Sequence, residues 1–413
     1  MSAITADRIR IESPWPAHSL ESFYMRQGEN THGCVSFRLL LEPGASARLR
    51  PGADVIAFYM DDEREPLFMG YVSGASLRTE NGLCRLSGEA YSATWLMDRE
   101  KKRRLWQDMS LTHSDIAEKI ADEYEGLHLF EAEIEPIEQP FIQYEETDWE
   151  FLDRLAAMLN TCIVADVRSD KPRFWIGTPL PIKVTEFENR EVRVVYDRKY
   201  HLEGAEELGF DWRQFARYEV RDYRNIRLFG GARLNGLDYV IVSKECEFRQ
   251  GAMEFRYSLA HPRYTERGQI YNNALIGLSL TGTLQSAEDG HVRVTFDIEG
   301  DPAGEAGWRF PWRPVTGNIL YALPEPGERV MVRFGVPGEE SGEAVCVAET
   351  RGSEPALRGF KAAGGQFLLH PDKTGLISGD GSAILIDDET GVRLETPGDI
   401  TITAQGPVNM EAA

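Results

Sequence analysis

The residues of this chain that could do chemistry are two carboxylate pairs, Glu145-Glu146 and Asp387-Asp388, with eight histidines and five cysteines. Neighbouring carboxylates can divide acid and base work when their surroundings push their pKa values apart. Histidine, cysteine and carboxylate at short spacing can hold a metal. Neither pattern is met. His18, His32, His113, His128, His201, His261, His291 and His370 are dispersed, and none makes a cluster of two or three metal ligands. Cys34, Cys84, Cys162, Cys246 and Cys346 are odd in number, without metal or redox spacing. Asp387-Asp388 opens the turn-prone stretch Asp387–Gly391, which turn chemistry alone explains. There is no Gly-x-Ser-x-Gly elbow, His-Glu-x-x-His, Walker A loop or dinucleotide Gly-x-Gly-x-x-Gly. The expectation is a protein that is not an enzyme and holds no metal or cofactor.

Charge narrows the partners. Asp+Glu number 67 against Lys+Arg 45, a net charge of −22. A nucleic-acid binder needs a basic footprint, so none is expected. The one basic run, Lys101–Arg104, is followed by Leu105 and Trp106 and reads as a solvated strand or loop end. Scattered cysteines read as buried thiols of a protein folded in a reducing compartment. Met1–Asp7 lacks the charged-then-apolar order of a signal peptide, and no run of about 18 apolar residues offers a membrane span.

The elements around these residues are mainly β. Residues 1–100 carry short alternating runs such as Val35-Ser-Phe37-Arg-Leu39, with turn signals at Pro43-Gly44, Pro51-Gly52 and Asn81-Gly82. They read as a first β-barrel. Residues 101–165 carry the two clear helices. Thr112 opens one, with Asp115 closing a capping box and Gly126 ending it; Thr147 opens the other, with Glu150 in the same role. Residues 166–275 return to β as a second barrel. Residues 276–350 suit a small five-stranded barrel of the OB type, with Val292, Val294 and Phe296 alternating, then Val330, Val332 and Phe334. Residues 351–366 read as a linker.

From 367 to 413 the chain keeps an eight-residue clock. Ile384, Val392, Ile400 and Val408 are one series, and Ile386, Leu394, Ile402 and Met410 another. Ser382, Thr390, Gly398 and Gly406 mark the corners. Two apolar residues two apart point to one side of a strand. A strand, a turn and a repeat predict a β-helix or β-prism. Each octad buries two apolar side chains, roughly 2 kcal/mol each, against roughly 8–16 kcal/mol for ordering eight residues. One chain cannot close such a core, so a trimer is expected, with these eight apolar residues as its needle core.

Three stretches carry a resemblance. Phe141–Leu155 resembles the segment that opens the helix between two β-barrels in VgrG-type spike proteins and the hub proteins of contractile phage tails. Leu323–Phe334 resembles that family's Leu-Pro-x-x-Gly-Asp/Glu-x-Val-x-Val-x-Phe strand, and Gly290–Phe296 its Gly-Arg-Val-x-Val-x-Phe strand, with His291 in place of Arg. Trp308–Trp312 fits the aromatic-proline stretch between them, and the octads are the third match. The resemblance implies a homotrimer whose paired barrels form a pseudo-sixfold ring, joining a sixfold tube and baseplate to a threefold needle. The OB unit would be the collar. The needle would cross a target membrane when a sheath contracts. A type VI secretion system, a phage tail and a released tail-like particle all stay open. The protein would fold in the bacterial cytoplasm.

The interval 351–366 is too short for the lysozyme-like domain that some relatives insert, and the sequence runs to Ala413 with no effector after the last octad. With no cap after Val408 and Met410, a separate PAAR-like tip protein is expected there. A receptor-binding fibre or adhesin is the main alternative; a stalked wall hydrolase is the other.

Overall fold

The computed structural model describes residues 4–43, 50–60, 66–132, 135–178, 183–188, 191–196, 198, 201, 211–249, 251–300, 304–315, 323–347, 358–362 and 364–408. Period-2 alternation builds its largest sheet. In Cys34–Leu41, Val35, Phe37, Leu39 and Leu41 are buried while Ser36 and Arg38 are exposed. Twelve strands share this sheet. Its path runs Ile9–Glu12, Val55–Met60, Phe68–Glu80, Leu83–Tyr91, Cys34–Leu41, Ala17–Gly28, Leu237–Arg249, Ala252–Ala260, Ala216–Asp222 and Val192–Tyr196. Gly231–Leu234 and Val184–Glu186 branch from it.

The two β units read as separate barrels are therefore two lobes of one sheet, open among the described residues. They join where Ala17–Gly28 pairs antiparallel with Leu237–Arg249, from Gly28↔Ser243 to Tyr24↔Glu247. Alternation predicts a buried face but carries no information about which strand lies beside which, so this seam is invisible in the sequence. Phe23, Met25, Phe37, Phe58, Phe255 and Tyr257 share one core across it.

Two helices follow in a separate core, α1 at His113–Asp122 and α2 at Asp148–Met158. Both capping boxes form, Thr112 with Asp115 and Thr147 with Glu150. After α1 the left-handed residue comes one position before the expected Gly126. Glu125 takes the left-handed turn at φ 51°, and the Gly126 N–H returns to the Ala121 carbonyl. Glycine is needed at 126 for space: a Cβ there would lie 2.6 Å from the Pro172 carbonyl oxygen. Ile116, Ile120, Trp149, Leu152, Leu155 and Ala156 bury their shared face.

Two three-stranded sheets flank the helices. One is Ile163–Ala165, Arg173–Ile176 and Leu127–Phe130; the other is Phe141–Glu146, Lys102–Trp106 and Glu299–Gly300. The last strand comes from the next unit, a five-stranded sheet ordered Phe310–Pro311, His291–Phe296, Ser279–Glu288, Arg329–Arg333 and Glu343–Val347. Val292, Val294, Phe296, Val330, Val332 and Phe334 are all buried in it.

The C-terminal strands Arg358–Ala362, Gly365–His370, Lys373–Ser378, Ala383–Asp387 and Gly391–Glu395 form a five-stranded antiparallel meander. The first begins inside the stretch read as a linker, whose residues 351–357 lie outside the described ones. In this one chain the strands stack as hairpins, each reversing the last. The corners explain the reversal. The Asp387 carboxylate accepts the Glu389 and Thr390 N–H groups at 3.0 Å, and Gly391 supplies φ 82°, so the chain doubles back on itself.

Candidate functional site

The octad residues meet on one face of the meander. Ile384 lies opposite Leu394, and Ile386 opposite Val392. Leu376 lies opposite Ile384 on the other side. This face is apolar and uncovered in the single chain, from Ile384 at 45% exposed to Val392 at 68%. The other face is the more protected: Ala383 is buried and Leu385 half-buried. An ordinary half-solvated sheet shows the opposite arrangement. Sequence reasoning missed Leu376, although it stands eight residues before Ile384 and the same clock finds it. Ile400, Ile402 and Val408 follow the last strand, also exposed, in a stretch without regular structure. Met410 lies outside the described residues. The amides of Thr390 and Glu389 hold the Asp387 carboxyl below the usual carboxylate range.

The other carboxylate pair, Glu145-Glu146, is split by a bulge. The register slips between Lys102↔Glu146 and Arg103↔Tyr144, and Glu145 takes φ 54°. Glu145 faces outward onto Arg103, while Glu146 turns inward onto Arg154. Arg154, on α2, is almost wholly buried. It donates to both Glu146 oxygens at 2.8 and 2.9 Å, to the Ile142 carbonyl at 2.9 Å, and to Glu339 Oε1 at 2.5 Å. Glu339 is buried too and belongs to the five-stranded unit, so one guanidinium ties helix, strand and that unit together. Burial pushes the Glu146 carboxyl up.

The basic run read as solvated is buried at its last residue, Arg104. Arg104 pairs with Asp148 and Glu123 and bonds the Gln143 side chain. Lys102 reaches Asp148 at 2.8 Å, and the Tyr124 hydroxyl donates to the same carboxylate at 2.6 Å. Four donors, Arg104, Lys102, Tyr124 and Gln143, satisfy the one buried Asp148, which is why these charges tolerate burial. Nothing in the spacing 104–123–148 announces such a network.

The nearest approach to a catalytic constellation is Asp98, His32, Thr94 and Ser92. His32 Nε2 lies 3.4 Å from Asp98, its Nδ1 lies 2.9 Å from the Thr94 hydroxyl, and that hydroxyl lies 2.8 Å from Ser92. The order is that of a carboxylate–imidazole–hydroxyl relay. Ser92 and Thr94 are 0% exposed, however, and Trp149 covers His32 with ring centroids 4.5 Å apart. No substrate reaches either hydroxyl. The relay instead anchors α2, since the Thr147 hydroxyl donates to Asp98 at 2.5 Å. Among the described residues, no group of three or more His, Cys, Asp or Glu is placed to hold a metal, and no helix is long and apolar enough to cross a membrane.

A twelve-stranded open sheet, an inserted helical pair, a five-stranded unit and a terminal β-meander make up the fold among the described residues. A family model described as phage tail baseplate hub (GPD) matches residues 35–159. No curated protein matches the chain. Among solved structures, the chain is similar to the E. coli c3393 protein at TM-score 0.61 and 16% identity, over 82% of this chain and 99% of that one. That protein is described as a component of the type VI secretion system with structural similarity to the T4 bacteriophage tail proteins gp27 and gp5. It is also similar to a chain of the half-lidded Francisella PdpA-VgrG complex, at TM-score 0.53 and 11% identity, over 94% of this chain and 87% of that one. The lidless PdpA-VgrG complex gives TM-score 0.52 and 10% identity over 94% and 97%. By sequence over residues 35–159 and by fold over most of its length, the chain resembles baseplate hub proteins of the VgrG type.

Proposed function

We propose that this chain is a non-enzymatic, homotrimeric hub and spike of a contractile injection machine, joining tube and baseplate to a membrane-puncturing needle. The observation that carries the reading is the apolar ladder Leu376, Ile384, Ile386, Val392 and Leu394, left open to water in one chain. Burying each of these side chains is worth roughly 1.5–3 kcal/mol. Three chains packed ladder to ladder would bury them around a threefold axis, continued by Ile400, Ile402, Val408 and Met410. The likeness to hub folds supports the role of the sheet as the ring that receives the tube. The protein would fold in the cytoplasm, and a small PAAR-like protein would cover the strand edges at the tip, against Val408 and Met410. The test is the mass of the full chain in solution by light scattering, beside a variant lacking residues 367–413. A trimer for the first and a smaller species for the second are expected. A well-folded monomer of the full chain at micromolar concentration overturns the reading.

A further inference from the structure

A second uncovered surface lies far from the octads in sequence, at the strand Leu127–Phe130. This strand is the edge of its three-stranded sheet and runs parallel to Arg173–Ile176. The Leu127 N–H bonds the Pro172 carbonyl at 2.9 Å, and the Glu131 N–H bonds the Ile176 carbonyl at 2.8 Å. In a parallel ladder those alternate residues face the neighbour, so the N–H and C=O groups of His128 and Phe130 face away from the sheet. No backbone bond from either to another strand occurs among the described residues.

The side chains continue the pattern. Val164, Trp175 and Leu129 form one row across the sheet. Val164 is buried and Trp175 half-buried, while Leu129 is 63% exposed, with Leu127 beside it at 61%. The row leaves the hub core and ends in water at two leucines on one side of a free edge. The field there is negative. Between His113 and Pro140 the sequence places nine carboxylates against Lys119 alone among lysines and arginines. Asp115, Glu118 and Asp122 of α1 act on His128. From the neighbouring strand's side come Lys171, which is paired with Glu125, and Arg173.

We infer that this edge is a docking site for a basic, extended segment of another protein, which adds as a fourth strand beside Leu127–Phe130. Its backbone would pair with His128 and Phe130, and apolar residues two apart would cover Leu127 and Leu129. Lysines or arginines at the alternate positions would meet the α1 carboxylates. Strand addition uses backbone bonds for affinity and alternate side chains for selection. A second copy pairing through this same edge would set the acidic stretch 113–140 against itself, so self-pairing of the edge is disfavoured by like-charge repulsion.

The test uses the full chain and a fluorescein-labelled synthetic peptide of alternating lysine and valine, with a glutamate–valine peptide as control. Anisotropy should show binding of the first peptide only. The double variant Leu127→Ser/Leu129→Ser, with unchanged melting, should bind at least tenfold more weakly. Hydrogen exchange should slow at the His128 and Phe130 amides when the peptide is bound. Three results overturn the inference: no binding of the lysine–valine peptide, equal binding by the double variant, or unchanged exchange at those two amides. A change in the chain's own mass in the double variant, without peptide binding, assigns the edge to self-association and also overturns it.

Discussion

The hub sheet and the C-terminal meander are both antiparallel β-structure with strict alternation, yet they use it in opposite ways. In Cys34–Leu41 the apolar series is sealed beneath a partner face of the same chain. In Ala383–Glu395 the apolar series faces water, with only Ala383 buried. Sheet geometry does not separate the two cases. The difference is whether the chain supplies a second layer. The hub sheet is covered within one chain; the apolar face of the meander is not.

That contrast can be broken from either side. The largest effect should come from Arg154→Met, which strands Glu146 and Glu339 in a buried site without their cation. Removing one partner of a buried pair costs about 3–5 kcal/mol. Urea unfolding followed by tryptophan fluorescence should show that loss equally in the full chain and in a chain ending at 366. Next comes Ile386→Asp. In one chain this residue is 48% exposed, so the hub should melt unchanged. In an assembled needle the change buries three carboxylates in an apolar core, and light scattering should show the trimer gone. Equal loss of hub melting and of trimer would erase the distinction between the two regions.

Thr147→Ala should cost about 0.5–2 kcal/mol through the lost cap of α2, with Thr147→Ser recovering most of it in the same urea measurement. A smaller effect concerns acid. The bond to the His32 ring, aided by the Thr147 hydroxyl, holds the Asp98 carboxyl below its usual range. A carboxyl so held contributes stability that is present above its unfolded pKa and lost as pH falls through its folded one. Asp98→Asn should therefore flatten the acid side of the hub's stability–pH curve. The smallest effect is expected from Arg393→Asp. This side chain is exposed, on the face opposite the ladder, and its ion pair with Glu395 is worth about 0–1 kcal/mol. Both trimer mass and melting should barely move.

Local chemistry made much of this fold legible in the sequence. Both capping boxes, the buried alternations at Val292–Phe296 and Val330–Phe334, and the shared side of Ile384 and Ile386 follow from spacing alone. Features that depend on distant meetings did not. The seam between residues 24–28 and 243–247, the burial of Arg104 and the Arg154–Glu339 tie each join residues with no local signature. Burial of a charge is decided by its partners, and partners are set by topology rather than by neighbours in the chain. The free edge at Leu127–Phe130 escaped notice for the same reason, since four residues of alternating Leu, His, Leu and Phe look alike in an edge and in an interior strand.

The corner at Asp387–Gly391 has a consequence for length. Because five strand residues and three turn residues return the chain to the same face, the meander grows in whole quanta. One octad adds one strand, about 4.7–4.9 Å of advance, and leaves Ile384, Leu394 and their successors in phase. An insertion of a single residue would turn every later apolar side chain over to the wrong face. Duplication of eight residues is thus the step that lengthens the meander without turning its apolar face over.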